Sequence, residues 1–326
     1  RSADRPDPLP SGPEGSVSVG ETMDAATILR GDPRRQRRER RVRAVFLVAA
    51  SVALAVSAAI VVSLIGRAGH FALNIDPSAL WSRGWFPRRG MYDLRTIFVG
   101  SFLVAGVAML VAAPLGLGAA VFLSEYASPR TRRSVKPVLE VLAGIPSVVM
   151  GFFALTVISP GVVQRLVADA TLFNLAAAGL AVGLLVVPLV ASIAEDALHA
   201  VPRGMREASY GLGARRRTTS LRIVAPAAVS GIIAALIVGV SRAIGETMVV
   251  AIAAGGTGGS LFSLDLFRPG QTATAAMTAL ATGSDQVKGE ALTFESLFFV
   301  GFLLFALTLA LNVVSERTVR RLRRRY

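Results

Sequence analysis

Six apolar runs dominate the chain, at residues 44–66, 96–123, 137–158, 174–194, 223–252 and 294–315. An α-helix rises 1.5 Å per residue, so about twenty apolar residues cross the roughly 30 Å hydrocarbon layer of a bilayer. Lipid offers no water to unpaired backbone groups, so a spanning segment must satisfy its own N–H and C=O. The pattern predicts an all-α, polytopic membrane protein with six transmembrane helices, not a soluble fold around one core. Composition agrees: of 326 residues, 53% are hydrophobic and the mean hydropathy is +0.57.

The formal net charge is +14, and the position of the basic residues decides what that charge is for. Arg34–Arg43 (RRQRRERRVR) abut the first span without the aromatic or base-reading residues of a nucleic-acid site. They read as a membrane-surface anchor, and no nucleic-acid partner is expected. With an inside N-terminus, the inward segments carry 23 Lys and Arg and the outward loops carry 8. That bias predicts that both termini are cytoplasmic. Residues 1–43 read as a disordered basic cytoplasmic tail, and residues 44–326 as the transmembrane domain. Cysteine is absent, which removes disulfides, thiolate nucleophiles and zinc–thiolate sites. His70 and His199 lie far apart in sequence, which argues against a histidine metal centre, so no metal is expected.

Several runs carry breakers. Pro114, Pro146 and Pro188 are expected to bend the second, third and fourth spans, and glycines at 231, 239 and 245 thin the fifth. Trp81, Trp85, Phe86 and Tyr92 in the loop 67–95 suit an aromatic belt at the membrane surface. Gly255–Ser260 (GGTGGS) reads as a turn, and Thr272–Ala281 as a short half-buried helix.

The stretch Ile223–Ala254 is apolar but for two residues, Arg242 and Glu246. A charge at mid-membrane costs about 2.5–3.5 kcal/mol on an insertion scale, so it needs a partner or a wet cavity. Four residues apart on a helix, the two side chains can pair. Two readings stand: an ion pair that fixes helix packing, or a site on an ion pathway. A guanidinium can fork to two oxygens of an oxyanion.

The longest inward loop, 195–222, holds a second feature. Pro202 fits the first position of a short helix whose body is Arg203–Tyr210, ended by Gly211 or Gly213. Glu207-Ala208-Ser209 is followed after three residues by Gly213, and after nine more by Ile223-Val224-Ala225-Pro226. This spacing resembles the permeases of bacterial ABC importers, whose loop reads Glu-Ala-Ala, Gly, then Ile-x-Leu-Pro; here Ser209 and Ala225 depart from it. The resemblance implies a type I ABC importer permease fold. It also implies that Arg203, Glu207, Ala208, Ser209, Gly213 and Pro226 belong to a coupling element that docks on an ATPase subunit.

Within those importers, SRAIGETM (Ser241–Met248), AGIPSVVMG (Ala143–Gly151) and SLRIVAPAAVSGI (Ser220–Ile232) resemble the phosphate permeases of the PstC type. That resemblance implies inorganic phosphate as cargo and a transport role for Arg242 and Glu246, with Thr247, Ser147 and Ser241 as candidate hydroxyl donors. It further implies a PstA-like second permease, two PstB-like ATP-binding subunits, a periplasmic or lipid-anchored phosphate-binding protein, and a bacterial inner-membrane setting in lipid. The chain carries no Gly-x-x-x-x-Gly-Lys-Ser/Thr loop for ATP. It is therefore expected to be no enzyme and to hold no cofactor, with ATP and Mg used by the partner ATPase. A permease for sulfate or molybdate, an anion channel and an intramembrane enzyme are the alternatives.

Overall fold

The computed structural model describes residues 33–255, 259–282 and 291–323. Two compact units divide the chain, one up to Val62 and one from Ser63 onward. The boundary falls inside helix α1 (Pro33–Asn74). The expected tail therefore ends sooner than position 43: the arginine run is already helical, because Arg is a good helix former and nothing there breaks the helix. Residues 1–32 lie outside the described residues.

From Ser63 on, the order is β1 (Gly84–Phe86), β2 (Met91–Tyr92), α2 (Leu94–Val121), α3 (Pro129–Ala143), α4 (Ser147–Phe153) and α5 (Leu175–His199). Then come α6 (Arg203–Gly211), α7 (Arg216–Thr219), α8 (Val229–Ile244), α9 (Met248–Ala253), β3 (Ser260–Leu261), α10 (Ala273–Ala281) and α11 (Ala291–Arg323). Wide π-type turns extend α2 through Phe122–Tyr126, extend α4 through Ala154–Val163, and follow α7 at Ser220–Val224. Among the described residues five helices are long and apolar enough to cross a membrane, and a bent pair makes a sixth.

Two spans differ from the expectation. The third begins at Ser147, not at 137: Gly144–Pro146 separates α3 from α4, and the crossing runs Ser147–Leu166. Residues 137–143 belong instead to α3, which gathers Arg130, Arg132, Arg133 and Lys136 in its first half. The fifth is not one rod over 223–252. Its two parts, Arg216–Ala227 and Val229–Ile244, meet at 72°, and a further break at Gly245–Thr247 precedes α9.

α2 and α5 form the centre of the second unit. Small residues let their backbones approach closely, the usual device where lipid gives no hydrophobic drive between helices. A Cβ on Gly179 would lie 2.6 Å from Val107 Cβ, and one on Gly183 would lie 2.8 Å from the Ala108 carbonyl oxygen. Asn174 caps α5 from a fully buried position, accepting from Ala177 N at 2.7 Å. Asp93, also buried, caps α2 and accepts from the Thr96 hydroxyl at 2.7 Å.

At the Leu94 end of α2 sits a three-stranded sheet in the order β2-β1-β3, antiparallel, with Trp85 opposite Tyr92 and Gly84 opposite Leu261. Trp85 and Tyr92 are not belt residues. They are buried with Phe71, Ile97 and Val300, because hairpin β1–β2 folds its ring face inward; Trp81 alone of the two tryptophans is exposed.

Candidate functional site

Arg242 closes the last turn of α8, where the helix dipole favours a cation. Gly245 then ends the helix, and Glu246 stands in the break before α9. Arg242 Nη1 donates to Glu246 Oε2 at 2.5 Å. The side chains are 50% and 4% exposed, respectively. The acid is thus buried and the guanidinium half open, so an anion can approach the arginine from its free side.

Around the break lies a set of polar groups, part of it on the expected short helix Thr272–Ala281, which forms as α10 with Thr272 as its cap. The Thr274 hydroxyl donates to the Glu246 carbonyl at 2.7 Å. Thr272 caps α10 by accepting from Ala275 N at 3.3 Å. The Ser101 hydroxyl of α2 accepts from Ala273 N at 3.0 Å, and the Gln271 side chain is buried with its Oε1 unpartnered among the described residues. α10 is therefore a buried helix pinned to both α2 and the break. Gln271, Thr272 and Thr274 ahead of small apolar residues are the sequence signature that points to it.

Of the other expected pathway residues, Thr247 turns its hydroxyl back to Gly245 O at 3.3 Å. Ser147 opens α4 and is half buried, with no hydrogen bond to the pair among the described residues. Ser241 Oγ is buried and has no partner among the described residues. α4 reaches the site through packing: a Cβ on Gly151 would sit 3.0 Å from Ile252 Cδ1 of α9.

The second site is α6. Pro202 is its N-cap, not its first helical residue, so the helix starts one position later than expected, at Arg203. Gly213, at φ +78°, turns the chain out of the helix, with its N–H donating to Tyr210 O at 2.9 Å. Arg203, Glu207, Ala208, Tyr210 and Leu212 face outward. Ser209 faces inward, its hydroxyl 2.8 Å from that of buried Thr219. Pro226 lies just before the 72° bend. Beside α6, Lys136 of α3 donates to buried Glu195 of α5 at 3.0 Å, and Arg132 pairs with the same carboxylate. The hydrogen bond to Glu195, ahead of the opposing cost of burial, raises the Lys136 pKa above its ordinary 10.5.

The family described as binding-protein-dependent transport system inner membrane component matches residues 112–326. The chain belongs to that family. The chain is also similar to the phosphate transport system permease protein PstC of Xylella fastidiosa, 32% identical over 276 residues, 79% of this chain and 83% of that one. A probable ABC transporter permease, YqgH of Bacillus subtilis, is 35% identical over 217 residues, 66% of this chain and 69% of that one. In fold the chain resembles a bacterial ABC transporter involved in the import of the acidic polysaccharide alginate. The TM-score is 0.52 at 14% identity, covering 74% of this chain and 86% of that chain. The fold is the type I importer permease fold, and the protein is a multi-pass membrane protein. Arg242, Glu246 and α6 all fall within the family match; α1 and strands β1 and β2 precede it.

Proposed function

We propose that this chain is the PstC-type permease subunit of an ATP-driven phosphate importer. In this reading it pairs with a second, PstA-like permease and two ATP-binding subunits in a bacterial inner membrane, both termini cytoplasmic. A phosphate-binding protein delivers the anion at the sheet end, and α6 docks on the ATPase. The observation that carries the reading is the half-open Arg242 held by buried Glu246 at a helix break. The PstC relative over most of both chains supports the choice of cargo.

The geometry accounts for a weak site. Phosphate reaches the exposed side of Arg242 and takes two oxygens into its fork. As the arginine turns to the anion, Glu246 loses its partner in a buried position, and an uncompensated buried charge costs several kcal/mol. That cost offsets part of the anion's affinity, so the anion is held and then released as Glu246 recaptures the arginine. Shallow binding of this kind is what conduction requires. ATP binding and hydrolysis on the partner subunits then alternate the access of the site through α6.

Uptake of radiolabelled phosphate by the reconstituted complex tests this. Arg242→Lys and Glu246→Gln are each expected to abolish most uptake, and excess sulfate is expected not to compete. Wild-type uptake in both variants would remove the pair from the pathway. Equal competition by sulfate would make the protein a permease for another oxyanion, and flux that survives loss of the ATPase would make it a channel.

A further inference from the structure

One buried charge beside α6 is used by neither the docking surface nor the anion site. Glu125 sits in the wide turn that ends α2, its side chain 3% exposed. Arg206 of α6 reaches it with a two-point fork, Nη2 to Oε1 at 2.8 Å and Nε to Oε2 at 3.4 Å. The Ser124 hydroxyl also donates to Oε1, at 3.0 Å. The same guanidinium donates through Nη2 to Leu198 O at 2.8 Å and through Nη1 to Val201 O at 2.6 Å. Leu198 lies in the last turn of α5 and Val201 two residues past its end, where carbonyls lack a full set of intrahelical partners. A single side chain on α6 therefore closes on the ends of both central helices.

Arg206 neighbours Glu207 on α6, yet the two differ in role. Glu207 points outward and Arg206 is 17% exposed, pointing into the molecule. Only arginine has the planar donor set to serve a carboxylate and two carbonyls at once. α2 and α5 pack closely at Gly116, Gly179 and Gly183, where an added Cβ would meet the facing helix.

We propose that Arg206, held by Glu125, is a positioning residue that makes α6, α2 and α5 one mechanical body. A displacement of α6 by the ATPase is then passed to α2, whose Ser101 holds α10 at Ala273 N, and through Thr274 of α10 to the Glu246 carbonyl. The proposal rests on the reading of α6 as the ATPase-docking element. Without the Arg206–Glu125 clamp, α6 would still dock and still let ATP turn over, but its movement would be lost at the joint.

The test uses the complete complex in vesicles, with ATP hydrolysis and phosphate uptake measured in the same preparation. Removing one charge alone leaves the other buried and unpaired, which threatens folding. The main variant is therefore the double change Glu125→Leu with Arg206→Met, which removes both charges. Arg206→Lys, which keeps the charge but not the fork, is the second. The double variant is expected to hydrolyse ATP within about twofold of wild type while moving at least tenfold fewer phosphate ions per ATP, with Lys intermediate. A wild-type ratio in either variant overturns the clamp. A wild-type complex with no ATP-driven phosphate uptake would instead overturn the functional reading beneath it.

Discussion

The Thr274 hydroxyl and the Glu246 carbonyl, 28 residues apart in the chain, meet at 2.7 Å. This bond ties the buried helix α10 to the peptide of Glu246, the acid of the proposed anion site, so the position of Glu246 depends on a residue outside its own span.

Replacing Thr274 by Val keeps the shape and removes the donor, leaving a buried carbonyl unpaired at about 1–3 kcal/mol. Uptake is expected to fall several-fold in Thr274→Val and to stay near wild type in Thr274→Ser. Equal uptake by the Val variant and wild type would show that the tether does not hold the site.

Gly179 and Gly106 separate packing from propensity. Alanine at 179 would press on Val107 and the Val104 carbonyl, whereas alanine at 106 meets nothing within 4 Å. Overpacking costs about 1–3 kcal/mol, while an unobstructed helical Gly→Ala change gains about 0.5–1 kcal/mol. Thermal unfolding in detergent is expected to come earlier in Gly179→Ala and no earlier in Gly106→Ala.

Gly213 is needed for its backbone alone: its φ is +78° and no atom would crowd an added Cβ. Alanine there is expected to cost about 1–2 kcal/mol of left-handed strain and to weaken coupling of ATP hydrolysis to uptake, with asparagine milder. Unchanged coupling in Gly213→Ala would mean that the turn after α6 is not part of the docking geometry.

The Lys136–Glu195 contact between α3 and α5 carries a definite pH sign. The lysine pKa is raised by the carboxylate, so its contribution is complete below the ordinary value of 10.5 and fades only as pH climbs through the raised one. Lys136→Met is expected to lower stability by about 1–2 kcal/mol, allowing for the partial exposure of the amine. The difference from wild type should be the same at pH 6 and pH 9. A gap that closed within that range would contradict the assignment.

The apolar runs made the fold class legible, since length and hydropathy alone mark a span. The fixed spacing from Glu207 to Pro226 marked α6, and the Arg242–Glu246 interval marked the pair. The divisions within spans were harder to read. Val138, Leu139, Val141 and Leu142 look like the start of a crossing, yet Gly144–Pro146 makes them the end of α3. Gly245 reads as a small packing residue, but it is the point where α8 stops. The partners of Glu125 and Glu195, and the Thr274 bond to the Glu246 carbonyl, come from tertiary approach, which no local period encodes. Arg206 was hidden by its exposed neighbour Glu207, since one turn of amphipathic helix does not say which charge turns inward.

The aromatic hairpin gives the molecule an internal optical gauge. Its two tryptophans occupy opposite circumstances: Trp85 is enclosed edge-on to Tyr92, while Trp81 lies open with the Arg95 guanidinium 5.3 Å from its ring. A collisional quencher should therefore silence Trp81 and spare Trp85. A protein settling on the sheet end would shield the first emission without disturbing the second, so its arrival can be followed with no label attached.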